Sequence, residues 1–239
     1  MQNRCATEIG RKMGSQLISR FGGIVASGLA LAGLLWVASP SLAEGNMAKL
    51  PKLEPGQAIA TFAGGCFWCL ESDMDALPGV ISTTSGYTGG TRDKPTYQNH
   101  YKAKAGGTPH YEAVQIVYDT SILDYDQLLT VFWHSVDVTD PGGQFCDRGP
   151  SYRTAVFVTE EQRAAAEASK TALEHGEWPK APIVTPILDL AEFFPAETYH
   201  QDYHTKNPVR YRYYRHGCGR NQTVQRVWGP HAYKGLPSH

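Results

Sequence analysis

One six-residue stretch constrains the fold of this chain most: Gly-Gly-Cys-Phe-Trp-Cys at residues 64–69. No helix breaker follows before Pro78, so the pattern predicts a short helix that begins at Cys66, with Cys69 one turn later on the same face. A helix N-terminus lowers the pKa of a nearby thiol, and the thiolate is the nucleophilic form. The glycines predict a turn whose backbone can approach a ligand. The stretch therefore predicts a reactive sulfur at a strand-to-helix turn, with two aromatic side chains as pocket walls.

The rest of the chain predicts strands and helices that mix without strict alternation. Alternating or β-branched composition predicts strands at 57–62, 80–87, 111–118, 152–158 and 183–188. Helical spacing or a capping box predicts helices at 125–136 and 160–175. Tyr199 to Trp228 is aromatic and basic with little periodicity. We therefore expect an α+β fold: a mixed sheet flanked by helices, with a ferredoxin-like two-layer core and a long irregular C-terminal segment.

The N-terminus has the organisation of a secretory leader. A basic start precedes an apolar run from Gly22 to Ala38, and the small residues Ser41 and Ala43 fit a cleavage site. The expected organisation is a signal peptide, a linker, one catalytic domain and a tail, at residues 1–43, 44–56, 57–230 and 231–239. We therefore expect an exported, periplasmic protein, with an uncleaved inner-membrane anchor as the alternative.

Charge and cysteine content narrow the function. Removing four basic and one acidic residue with the leader, from 22 and 23, leaves a net charge of −4, with no basic patch for nucleic acid. Four cysteines remain, and in an exported protein an even number is typical of structural disulfides. A domain of this size has enough core to fold without them, so the close Cys66–Cys69 pair favours redox chemistry.

The sequence predicts no metal site. His200 and His204 have the spacing of metal ligands on a helix, but no third ligand has matching spacing, so helix packing is favoured. The Cys66–Cys69 spacing also suits zinc, yet no second Cys-x-x-Cys pair completes a site.

Other candidate site residues lie in or beside loops. Glu112 stands at the start of a strand, where burial would let it act as a general acid, although a single glutamate there is more often exposed. Tyr97 and Tyr152 can donate hydrogen bonds to a substrate oxygen, or lie on the surface. Asp147 can orient such a donor, or pair with Arg148.

Many short motifs, taken in order, resemble the A-type peptide methionine sulfoxide reductases, which reduce the S epimer of methionine sulfoxide. The similarity extends from about Thr61 to about Trp228. The motifs that carry it are Ala63-Gly64-Gly65-Cys66-Phe67-Trp68, Leu77-Pro78-Gly79-Val80, Ser85-Gly86-Tyr87-Thr88-Gly89-Gly90, Pro95-Thr96-Tyr97, His110-Tyr111-Glu112-Ala113-Val114, Gly143-Gln144-Phe145-Cys146-Asp147-Arg148-Gly149 and Tyr199-His200-Gln201-Asp202-Tyr203.

The resemblance implies a role for each matching residue. Cys66 would attack the sulfoxide sulfur and become a sulfenic acid, while Glu112 would protonate the departing oxygen. The residues that would hold the substrate, by its oxygen or its S-methyl group, are Phe67, Trp68, Tyr97, Asp147 and Tyr152. A second thiol would form a disulfide with Cys66, and an external dithiol such as thioredoxin would reduce it. No cofactor is implied, and the substrate is free methionine sulfoxide or the oxidised residue in proteins.

Two thiols are candidates for resolving the sulfenic acid. Many members of the family have glycine where this chain has Cys69, and the family commonly uses a C-terminal cysteine, for which Cys218 is suited by its flanking glycines. A Cys66–Cys69 disulfide across one helical turn is strained, which favours Cys218. Cys146 is interpreted as a wall of the site.

Two other functions fit part of the pattern. A thioredoxin-like disulfide oxidoreductase would use Cys66 and Cys69, but the sequence lacks the βαβ pattern of that fold. An exported binding module would carry two structural disulfides, Cys66–Cys69 and Cys146–Cys218, and would tolerate Glu112→Gln.

Overall fold

The computed structural model describes residues 51–237. The predicted signal peptide, most of the predicted linker and the last two residues lie outside the described residues. The strands are β1 Gln57–Gly64, β2 Val80–Thr88, β3 Tyr111–Asp119, β4 Gly143–Gln144, β5 Asp147–Arg148, β6 Thr154–Val158, β7 Ile187–Asp189 and β8 Phe194–Pro195. The helices are α1 Phe67–Asp75, α2 Tyr125–Ser135, α3 Glu160–Glu174, α4 Tyr203–Lys206, α5 Pro208–Gly217 and α6 Arg220–Trp228, with 3-10 turns at Pro150–Tyr152, Thr198–His200 and Gly229–His231.

The main sheet has six strands in the order β7-β6-β1-β3-β2-β8. All neighbours are antiparallel except β6 and β7, so the sheet is mixed, as predicted. The elements β1-α1-β2-β3-α2-β6 follow one another along the chain and place the four strands in the order β6-β1-β3-β2. This is the ferredoxin-like arrangement, and the predicted α+β class is confirmed.

Alternating side chains of the central strands bury both faces of the sheet. On β1, Phe62 joins the larger apolar cluster with residues of α1 and α2, whereas its neighbour Ala63 joins a smaller cluster. Strand side chains alternate between faces, so these clusters mark the two sides of the sheet. Phe193 and the adjoining Leu188 and Leu190 cover the second face. Both faces are therefore covered, and the functional site must form at an end of the strands.

The prediction of an irregular C-terminal segment is wrong, because α4, α5 and α6 occupy most of it. These helices are short and each buries few residues. In α6 the buried residues Arg220, Val224 and Trp228 recur every fourth position, but one of them is an arginine. Because arginine is polar, apolar periodicity in the sequence does not identify this buried stripe. Among the described residues, no helix is long and apolar enough to cross a membrane.

Buried Arg220 connects the C-terminal helices to the predicted catalytic turn. Its guanidinium donates to the backbone oxygen of Gly64 at 3.1 Å and to that of Ser135 at 3.0 Å. It also lies 3.6 Å from a carboxylate oxygen of buried Asp73. A buried charge persists when it is paired and hydrogen-bonded, as this one is. The interaction fixes the end of β1, from which the chain enters α1.

The turn before α1 requires glycine at position 65, so Gly65→Ala should destabilise the protein strongly. Gly65 has φ of +81°, and an added Cβ would lie 2.5 Å from Cβ of Gln144. Left-handed strain and the clash together should lower the free energy of unfolding by about 2–4 kcal/mol. Urea denaturation measures the loss.

Gly106→Ala is the matched control. Gly106 has φ of +74° with no atom within 4 Å of the added Cβ, so only the strain of about 1–2 kcal/mol applies. Equal losses for the two variants would contradict the packing argument.

Candidate active site

The first residue of the site, Cys66, precedes α1 instead of lying within it. The helix begins at Phe67, and Cys66 is its N-cap residue with φ −54° and ψ 120°. The predicted helix start is therefore one residue early. Only Cys69 has helical geometry, because the backbone of Cys66 is extended. A Cys66–Cys69 disulfide would therefore not span a regular helical turn, and the strain expected from the sequence does not apply to it.

Glu112 lies against the N-terminus of the same helix. Its Oε2 accepts a 3.2 Å hydrogen bond from the backbone N–H of Phe67, and 2% of the residue is exposed. Burial, with a smaller contribution from the charge of Asp147, raises the pKa of Glu112 to about 8. The carboxyl is therefore an acid at neutral pH and can donate a proton into the site, which is the protonation state that the proposed role requires.

A small cavity that is open to solvent brings the predicted residues together. Its lining residues are Cys66, Phe67, Trp68, Tyr97, Glu112, Asp147, Tyr152 and Tyr214. Seven of these eight are sequence-predicted site residues, and they come from five separate parts of the chain. Burial raises the pKa of Tyr97 to about 12 and that of Tyr152 further, so both are neutral hydrogen-bond donors at physiological pH. The cavity thus combines a thiol, an acid and two phenols beside apolar rings.

The first residue of α4 and the 3-10 turn before it support the aromatic wall of the cavity. The indole of Trp68 stacks on Tyr203 with centroids 3.7 Å apart, and its Nε1 donates to Nδ1 of His200 at 3.0 Å. Burial lowers the pKa of His200 to about 4, so the ring is neutral. His200 and His204 do not share a helix, since His200 ends a 3-10 turn and His204 lies in α4. The interpretation of the pair as helix packing is therefore wrong, because His200 supports the pocket wall.

Two residues at the site, Tyr214 and His100, were not predicted from the sequence. The Tyr214 hydroxyl donates to Asp147 across 67 residues of sequence, and its influence on Cys66 lowers the pKa of that thiol, against the larger raising effect of burial. His100 is buried, with its Nε2 3.6 Å from Oε1 of Glu112. Neither lies in a recognisable motif, and each reaches the site only through tertiary packing. The family resemblance rests on local motifs, and these motifs include neither His100 nor Tyr214.

Among the described residues, the two free cysteines are Cys66 and Cys69, both buried. Burial, followed by the hydrogen bond and charge of Cys69, raises the pKa of Cys66. The pKa of Cys69 is lowered, first by its hydrogen bond with Cys66 and then by the guanidinium groups of Arg220 and Arg215. Cys69 is therefore the more acidic thiol of the pair when no substrate is bound.

Cys146 and Cys218 form a disulfide, with their Cα atoms 4.9 Å apart. The interpretation of Cys146 as a wall of the site is wrong, because its side chain is bonded to Cys218 and does not line the cavity. Cys218 has no free thiol in this state. Of the two structural disulfides expected for a binding module, the structure contains this one, while Cys66 and Cys69 are unpaired.

Within residues 51–237 one group of three side chains has the composition of a metal site. It consists of Cys146, Asp147 and Cys218, whose ligand atoms lie within 4.8 Å of one another. Both sulfurs belong to the disulfide, and Asp147 accepts the hydrogen bond from Tyr214. A metal needs free thiolates, so this group does not suit one while the disulfide is present.

Comparison with known proteins identifies the family. Residues 58–232 match the family described as peptide methionine sulfoxide reductase. The chain is 50% identical over 186 residues to "Peptide methionine sulfoxide reductase MsrA 2" of Rhizobium meliloti, which covers 77% of this chain and 88% of that protein. It is 49% identical over 172 residues to the MsrA of Bacillus licheniformis, which covers 72% of this chain and 93% of that protein.

The fold agrees with this assignment. The structure of methionine sulfoxide reductase A of Corynebacterium diphtheriae aligns with a TM-score of 0.59 and 31% sequence identity, covering 65% of this chain and 77% of that one. The family match covers most of the chain, as does the identity to the two bacterial relatives. The resemblance noted in the sequence is confirmed: the chain belongs to the peptide methionine sulfoxide reductase family, a family of oxidoreductases.

Proposed function

We propose that this protein reduces the S epimer of methionine sulfoxide, free or in oxidised proteins, to methionine, with Cys66 as the nucleophile and Glu112 as the proton donor. The observation that carries the proposal is the placement of both groups at the N-terminus of α1, in one cavity with two neutral tyrosines. Sulfoxide reduction needs an attacking sulfur and an acid for the departing oxygen, and this cavity offers both.

The cavity accounts for binding of the substrate. The methyl group is small and apolar, which suits the space between Phe67 and Trp68. The sulfoxide oxygen carries partial negative charge, so the hydroxyl groups of Tyr97 and Tyr152 hold it as hydrogen-bond donors. Tyr214 keeps Asp147 hydrogen-bonded at the same cavity. These contacts place the substrate sulfur against Cys66 and its oxygen against Glu112.

The chemical step transfers one oxygen and two electrons. Cys66 gives up its proton to solvent in the open cavity and attacks the substrate sulfur, while Glu112 protonates the sulfoxide oxygen. A protonated Glu112 also removes a negative charge beside Cys66, which favours the attacking thiolate. The S–O bond breaks, methionine leaves, and the oxygen remains on Cys66 as a sulfenic acid. The substrate sulfur is reduced and the Cys66 sulfur is oxidised.

Cys69 is the resolving thiol in this proposal. Its pKa is lowered, first by its interaction with Cys66, and a lowered pKa favours the thiolate that attacks a sulfenic acid. Cys218 is engaged with Cys146 and has no free thiol to offer. Attack by Cys69 forms the Cys66–Cys69 disulfide and releases water.

An external dithiol completes the cycle by reducing the disulfide. We propose a thioredoxin-like protein partner, and in an exported location it would be one dedicated to that compartment. Cys146 is exposed whereas Cys66 and Cys69 are buried, so the Cys146–Cys218 disulfide is the sulfur pair that a protein reductant meets first.

Disulfide oxidoreduction is the competing activity, and substrate preference separates the two. The chain has a ferredoxin-like arrangement, and Cys66 lines its cavity beside the aromatic rings of Phe67 and Trp68. Turnover of insulin disulfides without turnover of sulfoxide would contradict the proposed function.

Glu112→Gln should lower kcat/KM by roughly 100-fold or more, because the amide cannot donate the proton. In the parent protein kcat/KM should fall as pH rises above about 8, since the acid form is then lost; the variant should lack this alkaline limb. Initial rates with the purified S epimer between pH 6 and 9.5 measure both effects.

Glu71→Gln is the matched control. Glu71 is also a buried carboxyl on α1 with its pKa raised to about 7, but it does not line the cavity. This variant should retain activity. An unchanged rate in Glu112→Gln would remove Glu112 from the mechanism.

Mass mapping of disulfides after one turnover should identify a Cys66–Cys69 bond. The protein is reduced, freed of reductant and mixed with one equivalent of substrate. Cys69→Ser should still release one methionine per protein, leave a sulfenic acid on Cys66 and lose thioredoxin-supported turnover. Cys218→Ser should still form the Cys66–Cys69 bond. A Cys66–Cys218 bond in the parent protein would show that Cys218 resolves the sulfenic acid.

We also propose export to the periplasm, on the basis of the N-terminal sequence. Cleavage after Ala43 predicts a mature protein that begins at Glu44. Intact mass and N-terminal sequencing of the protein from the periplasmic fraction measure the start. A full-length chain in the membrane fraction would show the uncleaved anchor instead.

A further inference from the structure

His100 is a buried histidine that lies beside the acid of the proposed reaction. Its side chain is 1% exposed and stacks on Tyr87 with centroids 4.9 Å apart. The ring of Tyr152 meets it edge-on at 6.3 Å. His100 does not line the cavity, so it cannot contact the substrate directly. Any role in the reaction must act through a neighbour.

The hydrogen bonds of His100 define which nitrogen carries the hydrogen. Nδ1 lies 3.0 Å from the backbone oxygen of Tyr97 and 3.3 Å from that of Thr96. Carbonyl oxygens only accept, so Nδ1 must be the protonated nitrogen. Burial lowers the pKa of His100, so the ring is neutral near pH 7. Nε2 then presents a lone pair.

That lone pair faces the carboxyl of Glu112. Nε2 lies 3.6 Å from Oε1, just beyond hydrogen-bond distance, and has no hydrogen-bond partner within residues 51–237. The other oxygen, Oε2, accepts from the N–H of Phe67. A proton on Oε1 would point at an acceptor, whereas a proton on Oε2 would oppose the N–H. An ionised Oε1 would face a second lone pair in a buried site, which is unfavourable.

We propose that His100 is a positioning residue that keeps Glu112 in its acid form until the sulfoxide oxygen takes the proton. The proposal deepens the function proposed above and rests on it. His100 supplies no proton itself. It disfavours the carboxylate form of Glu112 before the reaction. Glu112 is therefore protonated when the sulfoxide binds.

The surrounding charges agree with a neutral pair. The groups that act on Glu112 are Asp147 and Cys69, whose negative charges raise its pKa, and Tyr152, whose hydroxyl lowers it. On His100, His110 opposes protonation and Glu197 favours it, and both are weaker than burial. An ion pair of His100 with Glu112 would bury two charges with 1% and 2% of their side chains exposed. Burial therefore moves the proton from the imidazole to the carboxyl.

Nitrogen NMR of the unmodified protein tests the protonation state directly. With ¹⁵N-labelled histidine, His100 should show a neutral ring with hydrogen on Nδ1 from pH 6 to 8. His100→Leu assigns the resonance by its disappearance. An imidazolium signal at pH 7, or hydrogen on Nε2, would overturn the proposal. This measurement needs no substrate, so it remains decisive even if sulfoxide is not reduced.

The pH profile of kcat/KM tests the effect on Glu112. His100→Leu removes the lone pair that opposes the carboxylate form of Glu112, which should move the alkaline limb to lower pH by roughly 0.5–1 unit. His100→Gln, whose amide oxygen can accept at the Nε2 position, should restore the parent limb. A purely structural role would lower the rate without moving the limb, and that result would overturn the proposal.

His134→Leu is the matched control. His134 is also buried and binds a backbone oxygen through Nδ1, at 2.7 Å from Thr130, but it lies on α2 away from the cavity. Its substitution should leave the limb in place. A limb that moves equally in both leucine variants would contradict a specific effect of His100 on Glu112.

Discussion

The hydrogen bond from the Phe67 N–H to Glu112 is the contact on which the site depends. It is a buried hydrogen bond that joins the first turn of α1 to β3, across 45 residues of sequence. A helix N-terminus has unpaired N–H groups, and here a carboxyl side chain satisfies one of them. Because Cys66 is the residue immediately before Phe67, the same contact brings the thiol to the acid. One hydrogen bond thus determines the positions of both the nucleophile and the proton donor.

The C-terminal helices complete what that contact begins. Arg220 binds the carbonyl of Gly64 at the end of β1, and Tyr214 binds Asp147 at the cavity. The Cys146–Cys218 disulfide joins the same two parts of the chain, since Cys146 precedes Asp147 and Cys218 follows α5 by one residue. The C-terminal helices therefore pack against the segment that carries the two thiols. Burial in turn raises the pKa of Glu112 and keeps it an acid.

Local pattern predicted the scaffold and the reactive sulfur. A strand, a Gly-Gly turn and a breaker-free run are all local signals, and the structure has the strand, turn and helix they indicate. Glu112 could be chosen only through the family resemblance, since a glutamate at a strand end is more often exposed. Its burial depends on packing by α1, which no local pattern records.

The remaining features depend on contacts between distant parts of the chain. His100 and Tyr214 belong to no motif, and their partners lie 12 and 67 residues away. Spacing alone could not show that Cys146 pairs with Cys218. The C-terminal helices were missed because their buried stripe includes an arginine, whose charge is paired with Asp73. In each case a polar residue is buried with a partner that the sequence does not identify.

The central claim is that Cys66, beside an acid, takes the oxygen from methionine S-sulfoxide. The most direct measurement is a single turnover of reduced Cys69→Ser protein with ¹⁸O-labelled S and R epimers, followed by trapping of the sulfenic acid before its oxygen exchanges. The account predicts one methionine per protein from the S epimer and ¹⁸O on Cys66 alone. Label on another cysteine, or equal reaction of the R epimer, would contradict it.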